Sequence, residues 1–199
     1  ELMELDKDCP SPCSRDTQKV RLLLEMANET KTVNIDSALS LALSASELAG
    51  NIADRKKTGP IGIADYLIMA HETTGSLYEA SGQTNKALEY YAKALDMSRK
   101  AGKDKKTADL LNSIGLIYDI YIGELDSAFM YYREALDLSE KTGYSPGVIN
   151  SLVNIGFVYE LKGDLSRALT SFNESAEAAE GSGNLKSLAN CLNHMGRIH

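Results

Sequence analysis

The chain has 199 residues, 43% of them hydrophobic and 25% charged, a size suited to one compact domain or one short solenoid. A formal net charge of -7 repels a phosphate backbone, which argues against nucleic acid as a ligand. No run of 18 apolar residues occurs, so no segment reads as a membrane-spanning helix.

The chain begins at Glu1, not Met, and shows no signal peptide, so either a leader was removed or the chain was trimmed; residues 1–16 read as a flexible leader. Cys9 and Cys13 flank Pro10-Ser11-Pro12, a spacing that suits either a small disulfide or two free thiols; a metal site would lack a second ligand pair nearby. The compartment therefore stays open between cytoplasmic and extracytoplasmic. Proline is scarce, with four residues and none between Pro60 and Pro146, which leaves room for long helices. Trp is absent and Tyr occurs ten times, so tyrosine supplies most of the aromatic core.

From residue 17 onward the apolar residues recur at helical steps. A first, degenerate unit over 17–50 is anchored by Ala38 and Ala45, and Asn34 stands where a helix cap is expected. Residues Gly50 to Pro60 read as a loop from their Gly, Pro and charge content. The second unit, 61–102, carries Thr74-Gly75-Ser76-Leu77-Tyr78, then Gly82, Ala87, Tyr90-Tyr91 and Ala94-Leu95. The third, 104–143, carries Ile114-Gly115-Leu116-Ile117-Tyr118, then Gly123, Ala128, Tyr131-Tyr132 and Ala135-Leu136. The fourth, 146–182, carries Ile155-Gly156-Phe157-Val158-Tyr159, then Gly163, Ala168, Phe172 and Ser175-Ala176. A partial fifth, 185–199, carries Met195-Gly196-Arg197-Ile198-His199, with Cys191 on its apolar face as a small buried hydrophobe.

The anchoring glycines Gly75, Gly115, Gly156 and Gly196 stand 40, 41 and 40 residues apart, and the one extra residue lies between Tyr118 and Gly123. Gly82, Gly123 and Gly163 each end a first helix, and the polar residue after each (Gln83, Glu124, Asp164) is placed to cap the second. A mid-helix glycine costs roughly 1 kcal/mol relative to alanine. Gly115 and Gly156 therefore point to close helix crossings, with Ala128 and Ala168 expected opposite them and Tyr118 and Tyr159 filling the space further down. One such unit cannot bury its apolar face alone, so units must stack.

Gly-x-x-Tyr followed by Gly and Ala-x-x-x-Tyr/Phe resembles the tetratricopeptide repeat, three times in full and in part over residues 17–199. The resemblance implies an all-α fold, a right-handed α-solenoid of antiparallel helix pairs. The period of about 40 exceeds the family's usual ~34, and the early Trp and closing Pro are missing. The extra residues amount to more than one helical turn, so longer helices are expected. Arrays of this longer period look like those of scaffold proteins and of bacterial signalling proteins, where they often precede a kinase or DNA-binding output domain.

The resemblance places a concave groove on the first helix of each unit, at six and three residues before the glycine and one and four after it. These positions are Met69, Glu72, Ser76 and Glu79; Asp109, Asn112, Leu116 and Asp119; Asn150, Val153, Phe157 and Glu160; and Asn190, Asn193 and Arg197. Amides offer two donors and two acceptors, so the asparagines can pair with the backbone of an extended peptide. Leu116 and Phe157 offer apolar pockets, and Glu72, Glu79, Asp119 and Glu160 favour basic groups. No Lys stands at these positions and Arg197 is alone, which disfavours the family's clamp for C-terminal carboxylates.

No catalytic constellation emerges. His71-Glu72 begins like a zinc-protease motif, but Gly75 stands where the second His is needed. His194 and His199 lack a partner at helical spacing, and the glycines follow the repeat rather than a phosphate loop. The sequence thus points to a protein- or peptide-binding scaffold without a cofactor, as the interaction or sensory region of a larger signalling protein. The alternative is a structural adaptor that self-associates through its terminal helix.

Overall fold

The computed structural model describes residues 15–55 and 62–198, and every regular element among them is helical. In chain order these are α1 (Arg15–Thr30), α2 (Ile35–Arg55), α3 (Ile63–Ala80), α4 (Thr84–Lys100), α5 (Asp104–Leu116), α6 (Leu125–Thr142), α7 (Ser145–Leu161), α8 (Leu165–Gly181) and α9 (Leu185–Ile198). α5 runs on into a π-helical turn, Ile117–Ile122. Short turns join α1 to α2, α3 to α4, α5 to α6, α6 to α7, α7 to α8 and α8 to α9, the arrangement of antiparallel helical hairpins. The Cys9–Cys13 pair and His199 lie outside the described residues.

The chain divides into two compact units, Glu1–Met97 and Ser98–His199. In the first, Val20 and Leu24 of α1 pack with Ala45, Ala49 and Ile52 of α2 and with Ile63 and Ala70 of α3. In the second, Ala128, Tyr132 and Leu136 of α6 pack with Leu152, Ile155 and Val158 of α7. Both cores follow the three- and four-residue steps that put apolar side chains on one helix face.

Two boundaries differ from the sequence expectation. α1 starts at Arg15, two residues earlier, and α2 continues through Gly50 to Arg55 instead of giving way to a loop at Gly50. The reason is the buried apolar stripe Ala38, Ala42, Ala45, Ala49 and Ile52, which carries the helix past the glycine. The remainder of the expected loop falls in residues 56–61, outside the described part.

The mid-helix glycines do mark close crossings, but the side chains opposite them are not the alanines. A Cβ placed on Gly75 would lie 2.9 Å from the Tyr91 ring, on Gly115 2.6 Å from Tyr132, and on Gly156 2.7 Å from Phe172. Ala128 and Ala168 are fully buried but are not the nearest groups to the glycines. An aromatic ring pressed flat on a helix needs the missing side chain more than an alanine would, which explains why the repeat pairs its glycine with Tyr or Phe. Tyr118 stacks on Tyr131 of its own hairpin at 5.4 Å, whereas Tyr159 of α7 meets Phe129 of the preceding hairpin edge-on at 5.5 Å.

The turns close as helix C-caps. Gln83 N–H donates to Tyr78 O at 2.8 Å and Asp164 N–H to Tyr159 O at 2.9 Å, each reaching five residues back across a left-handed glycine. Asp164 Oδ1 then accepts from Arg167 N–H at 3.1 Å, and Asn34 Oδ1 from Ser37 N–H at 2.9 Å, the caps the sequence implies. Glu124 makes no such side-chain cap. Its N–H reaches six residues back, to Tyr118 O at 2.9 Å, because the π turn absorbs the extra residue of the third repeat.

Candidate functional site: the α5, α7 and α9 face

Within Ser98–His199, three adjoining depressions run over α5, α7 and α9. The first, about 220 Å³, is lined by Asn150, Val153, Asn154, Phe157, Asn190 and His194, among others. The second, about 240 Å³, is bounded by Asp109, Asn112, Ser113, Leu116, Asn150 and Asn154. The third, about 430 Å³, is formed by Leu116, Asp119, Ile120, Asn154, Phe157, Glu160, Leu161 and Arg197. Asn154 touches all three, and Leu116, Asn150 and Phe157 are each shared by two. The structure thus brings Asp109, Asn112, Leu116, Asp119, Asn150, Val153, Phe157, Glu160, Asn190 and Arg197 onto one surface. Asn193 is exposed on α9 and lines none of these depressions.

The polar groups divide by partner. Asn112 Nδ2 donates to Ser151 Oγ at 3.0 Å, and Asn112 Oδ1 accepts from Ser151 Oγ at 3.2 Å and from Asn154 Nδ2 at 3.4 Å. Its amide therefore stitches α5 to α7. Asp109 Oδ2 accepts from the Tyr144 hydroxyl at 3.3 Å. Asn150 and Asn190, by contrast, are exposed. His194 meets Phe157 edge-on at 4.6 Å and stacks on Phe172 at 5.3 Å, giving this end of the face an aromatic floor. Arg197 pairs with Glu160 at 3.1 Å and approaches His194 Nδ1 at 3.3 Å.

The acidic positions are not equivalent. Burial raises the Asp119 carboxyl above its ordinary range. Glu160 Oε2 is buried without a hydrogen-bond partner among the described residues. In the other unit, Met69 and Ser76 of α3 are exposed and Glu72 and Glu79 half-buried. Glu79 Oε2 accepts from the Tyr91 hydroxyl at 2.8 Å, and burial together with that bond pushes the tyrosine's ionisation upward.

Asn154, Ile120, Leu161 and His194 line the face without having been singled out in the sequence. A signal for Asn154 and His194 does exist: Thr73, Ser113, Asn154 and His194 all stand two residues before the anchoring glycine and are all polar. Ile120 and Leu161 share the slot five residues after it. Among the described residues no helix is long and apolar enough to cross a membrane.

A search of curated proteins finds no match to the sequence. The tetratricopeptide-repeat family model matches residues 66–141 and 106–181, together more than half of the chain. Among solved structures, aspartyl phosphate phosphatase F from Bacillus subtilis is similar with a TM-score of 0.78 at 15% identity, over 89% of this chain and 44% of that one. A signal transduction ATPase with numerous domains, carrying a tetratricopeptide repeat sensor, from Pyrococcus horikoshii gives 0.77 at 17% identity over 92% of this chain and 27% of that one. A Rap protein complexed with competence and sporulation factor gives 0.67 at 14% identity, over 91% of this chain and 54% of that one. The chain thus spans about half or less of the length of these structures, and at such identities the likeness speaks for the fold. With the glycine–aromatic crossings and the hairpin caps, the match establishes that this chain belongs to the tetratricopeptide-repeat family of helical scaffolds for protein interaction.

Proposed function

We propose that the α5, α7 and α9 face holds an extended polypeptide segment, and that the chain is the interaction or sensory region of a larger regulatory protein. The observation carrying this reading is the row of exposed amides, Asn150 and Asn190, beside the apolar Leu116, Val153 and Phe157 on a single surface. Amides can pair with a peptide backbone of any sequence, while the apolar depressions select its side chains. Neighbours described as a signal transduction ATPase with a repeat sensor and as a complex with competence and sporulation factor support the regulatory setting. Glu72, Ser76 and Glu79 on α3 would extend the same kind of surface in the first unit.

The test is to select binders from a random peptide library and titrate them against variants. The doubly changed Asn150→Ala, Asn190→Ala chain should bind about tenfold or more weakly, since two amide contacts at about 0.5–1.5 kcal/mol each are lost. Its melting temperature should match that of the unaltered chain, because neither side chain is buried. Undiminished binding would count against the face. Asn112 is unsuitable for this purpose, since its amide holds α5 to α7.

A second reading is self-association through α9, favoured by the exposed Leu185 and Leu192. A dimer that dissociates on removal of residues 185–199 would establish it, and a monomer at high concentration would remove it.

A further inference from the structure

The third repeat departs from its neighbours at one place. Its extra residue widens the end of α5 into the π-helical turn Ile117–Ile122, and Ile120, Tyr121 and Ile122 are all exposed there. Isolated π turns inside helices are rare and occur frequently at functional sites. The turn forms one wall of the largest depression on the face, and Leu161 of α7 forms the other. Ile120 is 63% and Leu161 64% exposed, a large apolar exposure for two side chains lining one depression.

The polar groups at this spot are also unlike their counterparts. In the second repeat the buried tyrosine under the glycine, Tyr91, donates its hydroxyl to Glu79. In the third, the corresponding Tyr132 hydroxyl is buried without a hydrogen-bond partner among the described residues, although Asp119 occupies the slot of Glu79. The shorter aspartate at the start of the π turn is not consumed by the tyrosine. Glu160 Oε2, across the same depression, is buried and unpartnered among the described residues as well. Arg197, the cation among the residues lining the depression, is pinned to the other oxygen of Glu160.

We propose that this depression anchors a two-residue element of a bound polypeptide: an apolar side chain between Ile120 and Leu161, next to an arginine or lysine directed at Asp119 and Glu160. This rests on the peptide-holding reading of the face and gives it a specificity. Two carboxylates against one intramolecular guanidinium leave the site short of positive charge, and the apolar walls lower the local dielectric and strengthen the attraction. Arg197 then acts as a built-in competitor that the incoming cation displaces or joins.

The probe is a blocked hexapeptide with one arginine beside one leucine in a glycine–serine background, together with counterparts carrying glutamate for the arginine or serine for the leucine. Binding to the isotope-labelled 199-residue chain is followed by amide chemical shifts. The arginine–leucine peptide should shift Ile120, Phe157 and Leu161 and bind at least about fivefold more tightly than either counterpart, a difference of roughly 1 kcal/mol. Asp119→Asn with Glu160→Gln should erase the preference for arginine, and Ile120→Ser the preference for leucine. Deletion of Tyr121, which restores the 40-residue spacing, should erase both; if that chain does not fold, the Ile120→Ser result decides. Arg197→Ala should tighten binding of the arginine peptide.

Equal binding of the arginine and glutamate peptides, no shift at Ile120 and Leu161, or weaker binding in Arg197→Ala would each overturn the assignment. A library-selected peptide that depends on Asn150 and Asn190 but leaves Ile120 and Leu161 unmoved would preserve the face and sink this pocket alone. Failure of every peptide on the face would sink both.

Discussion

His71 lies half-buried on α3, its ring 5.8 Å from that of Tyr90, and its Nδ1 has no hydrogen-bond partner among the described residues. Burial lowers its pKa, and the charge of Lys93 lowers it further. The folded state therefore takes up this proton at lower pH than the unfolded chain, whose histidine titrates near about 6.5. As pH falls below that value the unfolded state binds the proton first, and stability is lost until the folded-state value is reached. The chain should melt at lower temperature near about pH 5.5 than near about 7.5, and His71→Gln should reduce that difference. An unchanged slope in the variant would place the effect elsewhere. None of this was legible from His71-Glu72 in the sequence, because the environment comes from α4. The same holds for Asn112: its position on the face followed from its distance to Gly115, but its bonds to Ser151 and Asn154 join residues roughly a whole repeat away.

At the scale of the helix, the glycines separate two effects that usually mix. Gly156 sits where a Cβ would press on Phe172, a ring with no exposed surface. Gly156→Ala should therefore destabilise, by about 1–3 kcal/mol from overpacking, and the ~1 kcal/mol gain in helix propensity will not offset it. A Cβ on Gly50 in α2 would meet nothing within 4 Å, and the backbone there is ordinary helix, so Gly50→Ala should stabilise by about 0.5–1 kcal/mol. Denaturant melts of the two variants check both signs, and a stabilising Gly156→Ala would contradict the crossing geometry. Helix periodicity exposed the existence of these crossings, while the identity of the opposing ring required the hairpin itself. The 41-residue spacing likewise announced one extra residue after Tyr118, but a count cannot distinguish a longer loop from a widened helix. The glycine at position 50 misled in the opposite direction, since punctuation by Gly was outweighed by the buried Ala49 and Ile52 on either side.

For the molecule as a whole, the forty-residue period was the legible feature, and it carried the fold class and the family. The division into Glu1–Met97 and Ser98–His199 was not legible, because the same repeat continues on both sides of it. The composition of the face was partly legible. The positions measured from each glycine found most of its lining, whereas Asn154, Ile120 and Leu161 stand at positions that the resemblance did not mark. Hydrogen exchange in the presence of a library-selected peptide decides whether the repeat's first-helix face in Ser98–His199 holds a polypeptide. If it does, exchange slows within residues 109–122, 150–161 and 190–198 and stays unchanged in α6 and α8. Protection confined to α6 and α8, with those three segments exchanging as before, would contradict it.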